Sequence, residues 1–172
     1  MPTVYLSPST QEYNPYVDGG NEEYYMNLIA DDMVPILERA GITVVRNDPE
    51  GNVSNSIADS NSANRDFHFA IHSNAAPPAN AGNVQGADFY YYTDSSRGRE
   101  YAEILAENYK KIYTGKIQVL PTTTLAELKR TRAPAVLVEV GYHDNPAEAQ
   151  WIRENISAIA QNFADSIIQI LK

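Results

Sequence analysis

Residues 134–139 read Pro134-Ala135-Val136-Leu137-Val138-Glu139, and the fold class follows from how this stretch sits among its neighbours. It is the clearest central strand of the chain, introduced by a proline and closed by a carboxylate. A second compact run, Ile42-Thr43-Val44-Val45, is β-branched and fits a strand buried on both faces. Thr3 to Leu6 reads as a first strand, Phe67 to Ile71 as a third ending at His72, and Phe89 to Tyr92 as a fourth.

Between these runs lie segments of helical period. One begins near Asn21 and carries Ile29, Met33, Ile36, Leu37 and Ala40 on a single face, with Gly41 as its stop. A weaker one spans Val53 to about Ala63, another runs from Ser95 to Tyr113, and the last runs from Asn155 to Leu171. Tyr113 to Thr124 reads as an excursion, and Asp144-Asn145-Pro146 as a turn. Strands alternating with helices predict an α/β fold, a mainly parallel twisted sheet with helices on both faces. There is no internal repeat or linker, so residues 1–172 are expected to form one domain.

Composition narrows the chemistry. The 172 residues include no cysteine and three histidines, so any metal is held by nitrogen and oxygen donors. With 22 acidic against 13 basic residues the net charge is -9, which argues against a nucleic-acid partner. No apolar run approaches the roughly 18 residues of a membrane span. The chain starts directly on a strand with no leader in view, so it is either made without one or has lost it.

Ligands of open α/β sheets bind beyond the carboxyl ends of the strands. Four segments bring polar groups to that rim: Ser7 to Gln11, Glu22-Glu23, His72 and Glu139. Glu139 follows a Val-Leu-Val run, where ionisation is costly without a cation or donors, the profile of a base or a ligand. The position equally suits a strand-end glutamate paired with Arg130 or Arg132. Glu22 lies seven residues before Ile29 and shares its inward face, whereas Glu23 is turned by roughly 100° toward solvent. Either acid also suits the positive end of a helix.

His72 runs into a polar loop through Ser73-Asn74, consistent with an open site, although a strand-end histidine is also satisfied by backbone carbonyls. His68 is on the same strand face but roughly 13 Å away at about 3.3 Å per residue, too far to join. His143 is either a surface turn residue or is carried back over the rim by the following turn. No phosphate-binding or dinucleotide fingerprint is present.

These residues resemble a known pattern over essentially the whole chain, that of the zinc-dependent N-acetylmuramoyl-L-alanine amidases of the amidase-3 type. Glu22 with Ile29-Ala30 and the later Gly41 resemble the family's first helix. Ala70-Ile71-His72-Ser73-Asn74-Ala75 resembles its second-histidine motif, and Pro134 to Gly141 with Asn145 its catalytic-glutamate motif. The resemblance implies Glu22 and His72 as Zn2+ ligands and Glu139 as general base. It implies hydrolysis of the amide between N-acetylmuramic acid and L-alanine in peptidoglycan, with the metal acidifying water and polarising the carbonyl.

One departure stands out. The family's first ligand is a histidine in Asp-Pro-Gly-His, whereas the matching residues here are Ser7-Pro8-Ser9-Thr10. On ligand preference the third donor is His143, with Gln11 next. The alternative is a muropeptide-binding domain impaired by the lost ligand. A glycosidase built on Glu22 and Glu139 is a more distant third reading. A cell-wall substrate without a visible leader implies another export route, release on lysis, or a trimmed chain.

Overall fold

The computed structural model describes all 172 residues. Six strands form one sheet: β1 (Thr3–Pro8), β2 (Thr43–Arg46), β3 (Phe67–Asn74), β4 (Ala87–Tyr92), β5 (Ile117–Thr122) and β6 (Ala135–Tyr142). Their order is β2-β1-β3-β6-β4-β5, parallel throughout except where β4 runs antiparallel to β6. The expected α/β class and mainly parallel sheet are therefore what the chain adopts. No helix is long and apolar enough to cross a membrane.

Six helices cover the two faces unequally. On one face α1 (Glu22–Arg39), α3 (Ser96–Tyr109), α5 (Pro146–Glu154) and α6 (Ile156–Leu171) enclose the main core. Here the sheet contributes Val4, Leu6, Phe67, Phe69, Ile71, Val136 and Val138, the odd-phase residues of β3 and the even-phase residues of β6. The other face carries only α2 (Val53–Asn61) and the single turn α4 (Ala126–Lys129), over a small cluster of Ala70, Leu128, Ala135 and Leu137. Two short helices cannot span that face, and the strand ends beside them remain open.

Local chemistry explains the bounds of α1, the helix that delivers Glu22. Asn21 caps it by accepting a hydrogen bond from Tyr24 N, which satisfies one of the free donors of the first turn. At the other end Gly41 adopts φ +81, donates to Glu38 O and turns the chain so that Ile42 N reaches Leu37 O. Only glycine takes that left-handed conformation without strain, and it sends the chain straight into β2.

Two sequence expectations are corrected. The excursion from Tyr113 to Thr124 contains β5, an edge strand parallel to β4. Pro121 and Gln118 break its apolar pattern, and an edge tolerates both because one side of its ladder is unpaired. The turn at Asp144-Asn145-Pro146 opens a helix instead: Asn145 caps α5 and accepts from Ala147 N and Glu148 N, with Pro146 at its first position.

Candidate active site

The site lies at the carboxyl end of the central strands. Pairing puts His72 of β3 level with Glu139 of β6, and Glu139 level with Asp88 of β4, so three ionisable side chains stand side by side across the sheet. All project to the thinly covered face. The amino end of α1 reaches the same rim from the opposite layer and brings in Glu22, which is 1% exposed.

His72 Nδ1 lies 2.8 Å from Glu22 Oε2. The other oxygen of Glu22 accepts from Asn14 Nδ2 at 3.0 Å, and the same amide nitrogen donates to Gln11 Oε1. Gln11 is thus one side chain removed from the Glu22 carboxylate. Burial on its own would push the Glu22 carboxyl up, but the His72 ring and the hydrogen bonds of Ser9 and Asn14 outweigh it and hold the group below the usual range.

Burial also disfavours a charged His72, yet carboxylates face both of its ring nitrogens. Glu127 and Glu22 reverse the burial effect and raise the ring to about 10. In the metal-free protein His72 is therefore an imidazolium at neutral pH. Glu139 goes the other way. Burial, reinforced by Glu22 and Asp88 and only partly opposed by His72, pushes its carboxyl up to about 8. Its Oε2 is buried without a hydrogen-bond partner. Such an atom is costly to leave alone, and it points to a function other than stability.

Glu139 and His72 open onto a pocket of about 220 Å³ shared with Gln11 and Glu127 on the polar side and with Leu125 and Leu137 on the apolar side. Glu22 and Gln11 supply oxygen, and His72 supplies nitrogen, at this end of the sheet. That chemistry fits a divalent cation of the zinc type. The fit depends on the amide, because no group of three or more His, Cys, Asp or Glu side chains is arranged to hold a metal.

The structure brings together Glu22, His72, Glu139 and Gln11, and it pairs His143 with Ser73. Ser73 has the phase of Ile71, so it faces the α1 layer, and His143 Nδ1 pairs with its Oγ at 2.8 Å. The imidazole is stacked on Tyr16 at 5.2 Å, and the Tyr16 hydroxyl donates to the same Ser73 oxygen at 2.9 Å. His143 does not line the pocket that His72, Glu139 and Gln11 share. Glu139 makes no ion pair with Arg130 or Arg132.

Sequence reasoning missed Glu127. It is 4% exposed, sits in the one-turn helix α4, and bridges the two histidines of β3. Its Oε1 lies 3.0 Å from His68 Nε2, and its Oε2 lies 3.8 Å from His72 Nε2. His68, which its strand position sets apart from the site, is joined to it all the same through this carboxylate. The only hint in the sequence is an acid flanked by apolar residues in Leu125-Ala126-Glu127-Leu128.

The family model described as N-acetylmuramoyl-L-alanine amidase matches residues 10–169. Among solved structures, the N-acetylmuramoyl-L-alanine amidase AmiC2 of Nostoc punctiforme superimposes with a TM-score of 0.84 at 20% identity, covering 98% of this chain and 96% of that one. The catalytic domain of CwlV, an amidase from Bacillus (Paenibacillus) polymyxa var. colistinus, gives 0.83 at 18% identity, covering 98% and 97%. Cwp6 from Clostridium difficile gives 0.88 at 20% identity, covering 99% of this chain and 29% of that longer one. No curated protein matches. At such identities the structures establish the shared fold, while the match over residues 10–169 establishes descent: the chain belongs to the N-acetylmuramoyl-L-alanine amidase family.

Proposed function

We propose that this chain hydrolyses the amide bond between N-acetylmuramic acid and L-alanine of peptidoglycan, with Zn2+ held by Glu22, His72 and the amide oxygen of Gln11, and with Glu139 as general base. The carrying observation is Glu139 itself, whose unpartnered Oε2 stands beside His72 in the same pocket. Gln11 replaces His143 as third donor in this reading, because Gln11 lines the pocket with His72 and Glu139 and His143 does not.

Bound there, zinc supplies the Lewis acidity that polarises the scissile carbonyl and makes water acidic near neutral pH. The residues of the chain do the rest. Glu139 in its ionised form takes the proton of the attacking water and passes it to the leaving nitrogen. A nearby cation would lower the Glu139 carboxyl from its metal-free position near 8, leaving it ionised at working pH. Leu125 and Leu137 form a dry wall against which the acyl group can rest. The intact Glu22, His72 and Glu139, together with the family membership, favour catalysis over a binding domain that has lost activity.

Purified protein loaded with zinc and given peptidoglycan should release new L-alanine amino termini and no new reducing ends. Chelation should stop the reaction, and zinc should restore it. Reducing ends formed in the presence of chelator would sink the reading.

A further inference from the structure

We propose that Glu127 is a positioning residue for His72, clamped on its far side by Ser7 and His68. The inference rests on the reading of His72 as a metal ligand and adds a residue to it.

The two oxygens of Glu127 have different work. Oε1 accepts from the Ser7 hydroxyl and from His68 Nε2 and is fully engaged. Oε2 is left to face His72 Nε2 at 3.8 Å, an ion-pair distance rather than a hydrogen bond. The support extends further back. Ser60 Oγ meets His68 Nδ1 at 2.9 Å, and the His68 ring is stacked on Tyr5 at 5.1 Å with 13° between the planes. The helix that carries Glu127 is tied by the Thr131 hydroxyl donating to Glu127 O at 2.8 Å. Neither Glu127 nor His68 has freedom to reorient.

Glu127 is not a further ligand to the same ion. The two nitrogens of one imidazole point to opposite sides of the ring, and Nδ1 is turned to Glu22 while Nε2 is turned to Glu127. A cation beside Glu22 would be held through Nδ1, leaving Nε2 to donate toward Glu127. Carboxylates in this outer position fix the ring orientation of a metal-binding histidine and raise its basicity, and their loss typically costs 10–100-fold in metal affinity. Stability alone gives no reason to bury two ionisable side chains here, since well-packed apolar residues of similar volume are often as stable or better.

The test compares wild type, Glu127→Gln, and a double variant, Glu127→Leu with His68→Phe, which fills the same space without the buried pair. Zinc affinity is measured by competition with a chelator, the His72 ring nitrogens by NMR of zinc-free protein, and folding by cooperative thermal unfolding. Both variants are expected to bind zinc about 10–100-fold more weakly. The ring signals of His72 should move even where the melting temperature does not. The double variant guards against a Glu127→Gln protein that fails to fold. Zinc affinity within twofold of wild type in a folded variant overturns the proposal. If the wild type itself takes no zinc, the metal reading of the site fails separately. The ring signals then decide alone, movement supporting the role of Glu127 and no movement overturning it.

Discussion

His72 Nδ1 lies 2.8 Å from Glu22 Oε2, and the two residues come from opposite layers of the domain, one on the sheet and one on α1. In the metal-free protein this is an ion pair, with the ring raised to about 10 after burial is outweighed by Glu127 and Glu22. Zinc requires a neutral imidazole, so its binding must expel a proton from His72. Near pH 7.5, calorimetry in buffers of different ionisation enthalpy should report release of between one and two protons per zinc, one from His72 and most of another from Glu139. Affinity should climb as pH rises toward 10, because less work is then needed to remove the His72 proton. Zinc uptake without proton release would mean that His72 is not the nitrogen donor.

Glu139→Gln is expected to lower amide hydrolysis by about 10²–10⁴-fold at unchanged zinc content. The same variant should alter stability in the opposite sense. The folded carboxyl of Glu139, raised to about 8 by burial with help from Glu22 and Asp88, stays protonated over a range where the unfolded chain has ionised. The wild-type zinc-free protein therefore loses stability as pH climbs from about 4.5 to 8, a loss that glutamine abolishes. Denaturant unfolding at pH 8 should find Glu139→Gln more stable by on the order of 2–4 kcal/mol. Equal stability of the two proteins from pH 5 to pH 8 would contradict the buried, neutral carboxyl.

The third donor can be assigned by comparing Gln11→Ala with His143→Ala. Gln11 lines the pocket and connects to Glu22 through Asn14, so its loss should weaken zinc binding by an order of magnitude or more, while His143→Ala should leave affinity within a few fold. Thr10→His, which places an imidazole where the family resemblance puts one, should tighten binding, since imidazole is a better zinc ligand than an amide oxygen. If His143→Ala abolished zinc uptake and Gln11→Ala did not, the order would be reversed.

The parts of this site that were legible in the sequence are those set by local periodicity. Helix phase alone turned Glu22 inward and Glu23 outward, and Glu22 is buried while Glu23 is not. Strand phase put His72 and His68 on one face, and Glu139 follows the apolar run of β6, although the strand continues beyond it to Tyr142. What was hidden depends on packing between distant segments. Glu127 lies on a four-residue helix too short to show a period, and its burial arises only where α4 packs against α2, β4 and β6. The helix that follows His143 was hidden too, since Asp144-Asn145-Pro146 suits a turn and proline is equally at home in the first position of a helix. The antiparallel placement of β4 against β6 has no signature in either strand, since both are apolar runs of the kind that a parallel neighbour would also bury.

Stability and metal binding should be separable, because the main core and the pocket lie on opposite faces of the sheet. Phe163 of α6 is fully buried and meets Phe69, Phe89 and Tyr109 with ring centroids 5.1, 6.4 and 5.3 Å away. Removing that ring leaves a cavity that the rigid sheet cannot close, so Phe163→Ala should cost about 3–5 kcal/mol in urea unfolding. Phe69 belongs to the odd phase of β3 and His72 to the even phase, so the loss of packing is not transmitted directly to His72. Zinc affinity of the folded Phe163→Ala protein should stay within twofold of wild type below the unfolding transition. A parallel fall in affinity would show that the sheet couples its two faces and that the pocket depends on the packing beneath it.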